Sequence, residues 1–146
     1  MTLPRAIAVA DAQTAKDNDD EVVLEFLDRH RRRITLTTEG GVAFLLDLNE
    51  ARALADGDVL LLDSGGQVVV RAKDEALLQI RAADPHTLMR IAWHLGNRHL
   101  AVAMFADRIE ILADHVIADM VRGLGGDVTE RHGPFQPERG AYAHEH

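Results

Sequence analysis

The chain has 146 residues, enough for one domain or two small ones, with 47% hydrophobic and 27% charged residues. Its formal charge is −8 and both halves are acidic, which argues against a general binder of nucleic-acid phosphates; the basic run 29–33 reads as a solvated turn or strand end. There are no cysteines, so disulfides, thiolate zinc sites and cysteine nucleophiles are excluded, and any metal must take imidazole and oxygen ligands.

The first twenty residues lack a long apolar core, so no signal peptide is expected. No apolar run approaches the roughly 20 residues of a membrane span. A cytoplasmic protein with no membrane partner is the resulting expectation. Residues 1–72 read as an all-β domain. Strands are predicted at Ala6–Val9, Val22–Phe26, Arg33–Thr37 and Val42–Leu46, the third with period-two alternation. Asn49 predicts a capped helical turn through Leu54. Ser64-Gly65-Gly66 then joins Val59–Leu62 to Gln67–Val70 as a hairpin. Such short strands with frequent turns suggest a small sandwich or barrel-like unit.

From residue 73 the pattern changes to alternating strands and helices. Ala76–Ala82 reads as a strand. Asp84 and Pro85 form a helix start, and Leu88, Ile91 and Leu95 share one apolar face. Gly96 is expected to end that helix in the left-handed region, which Asn97 also tolerates. Strands Leu100–Phe105 and Arg108–Ala113 follow. Asp114 caps a second helix with Ile117, Met120, Val121 and Leu124 on one face, and Asp127–Glu130 is a short edge strand. The order βαββαβ is that of a ferredoxin-like unit, so the chain is expected to be α+β, with an N-terminal all-β domain (1–72), a ferredoxin-like domain (73–138) and a mobile histidine-bearing tail (139–146). Units of about 70 residues are marginal alone, which favours mutual packing or dimerisation.

Eight histidines are present. His99 follows the helix corner Trp93-His94-Leu95-Gly96-Asn97-Arg98, and its ligand and structural readings are evenly open. His144-Glu145-His146 offers two imidazoles near the end of the sequence, where solvated tail histidines are also common. His115 sits at a helix start, as an exposed first-turn residue or a ligand. His94 reads as a core or interface histidine and His86 as surface. No zinc-protease, nucleophile-elbow or phosphate-loop motif occurs, so nothing assembles an enzyme.

The string Trp93–His99 resembles the signature of the urease accessory protein UreE family, which are nickel metallochaperones. The likeness continues through Asp56-Gly57-Asp58-Val59-Leu60, Asp114-His115-Val116, Met120–Gly125, Gly133–Glu138 and Gly140-Ala141-Tyr142. It implies a β domain for partner or peptide contact, a ferredoxin-like metal domain and a homodimer formed through the latter. It makes His99 the interface nickel ligand, with His144 and His146 as added ligands, Ni(II) as cargo, and Zn(II) or Cu(II) as possible occupants. It implies the accessory GTPase UreG and the apo-urease complex as partners, with no nucleic acid. Some family members carry a further histidine where this chain has Ala113, so His115 lacks that neighbour. A two-fold axis would turn one His99 into a pair of imidazoles, leaving the remaining positions open for exchange. The competing readings are a metal-independent dimeric interaction module and a hydrolase using histidine-bound metal and water.

Overall fold

The computed structural model describes residues 2–138. They form two compact units that divide between Lys73 and Asp74. In the first, β1 (Arg5–Ala10), β2 (Asp20–Leu24), β3 (His30–Thr37), β4 (Ala43–Ala53), β5 (Val59–Leu62) and β6 (Gln67–Ala72) make one six-stranded sheet, in the order β2-β6-β5-β1-β4-β3. Strands β1 and β4, and β2 and β6, pair in parallel; the other neighbours are antiparallel. Alternation decides which side chains go inside. Phe44, Leu46 and Leu48 of β4 are buried with Val22, Leu24, Leu60, Val68 and Val70, while their strand neighbours face outward. With four Phe, one Tyr and one Trp in the whole chain, aliphatic side chains must supply most of this burial, at about 1.5–3 kcal/mol each.

Three expectations for this unit need correction. The predicted helical turn at Asn49–Leu54 is strand. It continues β4 to Ala53 because Arg52 and Ala53 find partners in Arg31 and His30 across the sheet, whereas a lone helical turn offers one local bond for several fixed residues. The strand expected through Phe26 ends at Leu24 and gives way to a 3-10 turn at Phe26–Arg29. Within the basic run, Arg29 is buried: its Nη1 donates to the Leu54 carbonyl at 3.2 Å and its guanidinium lies over the Phe26 ring. His30, Arg31, Arg32 and Arg33 are exposed, on the edge strand β3.

The second unit has the order β7 (Asp74–Arg81), α1 (Pro85–Asn97), β8 (Ala103–Met104), β9 (Ile109–Leu112), α2 (His115–Gly123) and β10 (Asp127–Pro134). Its sheet runs β10-β7-β9-β8 with every pair antiparallel, the ferredoxin-like arrangement. Both helices start on a carboxylate cap. Asp84 accepts from the Thr87 N–H at 2.8 Å, ahead of Pro85, and Asp114 accepts from Val116 and Ile117 at 2.9 and 3.2 Å. Their apolar faces bury Ile91, Leu95, Ile117, Ala118 and Val121 against Leu78, Ile80, Ile109 and Ile111 of the sheet. The chain is therefore α+β.

Gly126 is the tightest point of that core. A Cβ there would meet Val121 Cγ1 at 2.6 Å, Ile91 Cδ1 at 2.8 Å and the Val121 carbonyl at 3.1 Å. Gly126→Ala should therefore lower stability by about 1–3 kcal/mol in denaturant unfolding.

Two strands of this unit differ most in length from expectation. Strand β8 is two residues long, not the six of Leu100–Phe105, because the flanking backbone is engaged elsewhere. The Leu100 N–H bonds to Leu95, the Val102 carbonyl accepts from Glu138 and the Phe105 N–H bonds to Arg108. Strand β10 runs on past the expected end at Glu130 to Pro134, paired with β7 residue by residue.

Strand direction fixes what lies together. Leu112, near the end of β9, pairs with Leu77 near the start of β7, and Pro134, the end of β10, pairs with Asp74. Strand β8 runs parallel to β7, so α1 must return the chain to that same end. The end of α1, the start of α2 and the end of β10 thus share one end of the unit.

Candidate metal centre

Helix α1 stops in a hydrogen-bonded corner. The His99 N–H donates to the Gly96 carbonyl at 3.0 Å, and the Leu100 N–H reaches the Leu95 carbonyl at 3.3 Å. This is the paired-bond helix stop that ordinarily places glycine in the left-handed position. Here that position is His99, with φ 57°, the one non-glycine residue of positive φ among the described residues. The expectation for Gly96 was wrong: both Gly96 and Asn97 remain inside α1. The stop falls three residues later because Leu95 is wholly buried and anchors the last turn. A left-handed L-residue costs roughly 1–2 kcal/mol relative to glycine, although histidine tolerates the region better than most. The imidazole is held there at that cost and is exposed to solvent.

The other histidines are placed as follows. His115 is exposed in the first turn of α2, at the same end of the unit as His99 by the strand directions above. His94 is half-buried, edge-on to the Trp93 ring at 5.0 Å. His86 is exposed at the start of α1, at the opposite end. His132 is exposed on β10 and His30 on β3. His144 and His146 lie outside the described residues. Among the described residues no three histidines or carboxylates converge as a metal cluster. Beside the corner, α1 exposes two large apolar side chains one turn apart, Met89 and Trp93, at 64% and 63%.

A second feature was not legible in sequence. Glu110, between the core residues Ile109 and Ile111, points to the helix-free face of the sheet, yet it is only 2% exposed. Arg131 grips both of its oxygens at 2.9 and 3.0 Å, and Gln79 and Arg108 donate to Oε2 at 3.0 and 3.1 Å. Burial alone would raise its pKa. The hydrogen bonds from Arg131, Gln79 and Arg108 outweigh that and hold it at about 2, against an ordinary 4.5. Gly133 leaves room for this clamp, since a Cβ there would lie 2.8 Å from the Arg131 guanidinium. With every oxygen committed to a guanidinium or amide, Glu110 is a structural anchor and no metal donor.

Family comparison is decisive on identity. Residues 4–73 match the model of the UreE urease accessory protein N-terminal domain, and residues 75–146 match that of its C-terminal domain. The chain belongs to the UreE family. Among its UreE relatives, the urease accessory protein UreE of Rhodopseudomonas palustris (strain HaA2) is 57% identical over 127 residues, 87% of this chain and 59% of that protein. The urease accessory protein UreE of Chelativorans sp. (strain BNC1) is 49% identical over 128 residues, 87% of this chain and 81% of that protein. UreE 1 of Brucella suis biovar 1 is 45% identical over 144 residues, 97% of this chain and 89% of that protein. The chain thus spans about three fifths of the length of the Rhodopseudomonas relative. No helix among the described residues of this UreE chain is long and apolar enough to cross a membrane.

Proposed function

We propose that this chain is a nickel metallochaperone of urease maturation, which binds Ni(II) as cargo between two copies of its C-terminal domain and delivers it for active-site assembly in the cytoplasm, without chemical turnover. The observation that carries the reading is His99, an exposed imidazole at a helix stop where glycine would be cheaper. One copy supplies a single such group. A two-fold axis supplies two, and leaves the remaining coordination positions to water or to further side chains. A site so open exchanges its ion, as delivery requires.

The exposed Met89 and Trp93 on α1 support a homodimer that covers this face. His115, at the same end, and His144 and His146, in the tail 139–146, are the candidate further ligands. Zn(II) and Cu(II) accept the same donors and are expected to compete. Residues 1–72 would serve partner contact and 73–138 metal binding and dimerisation. The partners in this reading are UreG, to which any GTP hydrolysis belongs, and the apo-urease complex with its other accessory proteins.

The test is a nickel titration of the protein while its mass is followed by sedimentation. A dimer binding one tight ion per two chains is the expected result. A dimer that binds no nickel specifically would favour the metal-independent dimeric interaction module, and a monomer would contradict both readings.

A further inference from the structure

A residue kept in the left-handed region persists only where its surroundings over-determine it. On one side of His99 the hold comes from α1 and its buried Leu95. On the other, the short limb Leu100 to Val102 hangs between the corner and β8. Leu100 and Val102 are half-buried against the helix–sheet core. Two main-chain hydrogen bonds fasten the limb. The Leu100 N–H reaches the Leu95 carbonyl at 3.3 Å, and the Glu138 N–H donates to the Val102 carbonyl at 2.7 Å. The shorter of the two comes from far along the chain. Strand β10 is one edge of the sheet and β8 the other, so the segment 135–138 crosses from edge to edge, three strand spacings or roughly 14 Å. Four residues reach about that far when fully extended, so the crossing has little slack. Phe135 pins it on the way, at 1% exposure.

We infer that Glu138 is a positioning residue for His99: its amide, held taut from Phe135, ties down the Val102 limb and so keeps the imidazole at its left-handed corner. The inference rests on the proposed ligation by His99. With the tie cut, the limb is free to let His99 relax into the right-handed or extended region, which an L-residue prefers. The imidazole then leaves the place from which it would meet a metal. A hydrogen bond is worth roughly fivefold in a local equilibrium, so its loss should lower the population of a strained corner about twofold. An ion shared by two such corners feels the loss twice, which weakens its binding about fivefold.

Two substitutions in the full chain separate the amide from the side chain. Glu138→Pro removes the N–H, whereas Glu138→Ala keeps it. The glutamate is exposed, so neither change opens the core. The first readout is metal-free. In nuclear magnetic resonance a residue of positive φ shows a strong cross-peak between its own amide and α protons. That peak is expected at His99 in the unmodified and Glu138→Ala chains. In Glu138→Pro it should weaken, and the Leu100 amide should exchange faster with solvent. The second readout is nickel affinity by competition, expected to be about fivefold weaker in Glu138→Pro and unchanged in Glu138→Ala. The same ratio is expected when every chain also carries His144→Ala and His146→Ala.

An unaltered His99 cross-peak and Leu100 exchange rate in Glu138→Pro would overturn the inference. So would an affinity loss that vanishes in the His144→Ala, His146→Ala background, because the effect would then bypass His99. If His99→Ala leaves nickel binding intact, ligation by His99 falls, while the metal-free signals still decide whether the Glu138 amide holds the corner. Should Glu138→Pro fail to fold, amide exchange in the unmodified chain decides. Glu138 and Leu100 amides protected to a similar degree support the tie, and a Glu138 amide exchanging as fast as in a free peptide overturns it.

Discussion

His99→Gly is expected to abolish the tight nickel ion while leaving the C-terminal domain as stable as before, or more stable by up to about 1 kcal/mol. The two halves of this result have one cause. At φ 57° the histidine side chain is tolerated but not favoured, and glycine relieves the crowding at some cost in unfolded-chain entropy. The corner's hydrogen bonds, from His99 to Gly96 and from Leu100 to Leu95, are all main chain and survive the substitution. What disappears is the imidazole, and with it both His99 donors of the proposed dimer site. His99→Ala should lose the ion equally but be less stable than the glycine variant, because it retains a Cβ in the left-handed region. Paired calorimetry and nickel titration on both variants separate a ligand from a structural histidine. A residue retained for stability would show the opposite: weaker folding in the glycine variant and metal binding intact.

Acid should unfold the C-terminal domain through Glu110. Its pKa is about 2 in the folded protein, below the ordinary 4.5. A carboxylate whose folded pKa is depressed contributes stability in full above its unfolded pKa and loses it as pH falls toward the folded one. The window is therefore pH 4.5 down to 2, and the loss across it is about 3 kcal/mol. Arg131→Met should expose the same dependence at neutral pH. It deletes the two bonds that hold both carboxylate oxygens and leaves a buried charge with Arg108 and Gln79 alone, at a cost of about 3 kcal/mol. Glu110→Gln should flatten the acid limb of a stability–pH curve recorded by urea unfolding. A wild-type curve that stays flat from pH 5 to 2.5 would contradict this account.

Long-range pairing explains most of what the sequence concealed. The ferredoxin-like order was legible because α1 and α2 carry local signals: Asp84-Pro85 and Asp114 at their starts, and apolar residues at helical spacing. Position 49 carries a local cap signal too, but cross-strand partners at Arg31 and His30 override it. Likewise, nothing near Arg131 in the chain announces that it reaches Glu110, 21 positions away, or that Glu138 bonds to Val102. At the corner that ends α1, the helix stop was placed at the wrong residue. A glycine in the helix's last turn looks like the left-handed residue, yet the buried Leu95 carries the helix past it and hands that conformation to His99.

Anomalous diffraction at the nickel edge from crystals of the nickel-loaded protein tests the central claim most directly. The account predicts one nickel peak on a two-fold axis, bonded to the His99 imidazole of each of two copies. Nickel held only elsewhere, with both His99 side chains free of metal, would contradict it.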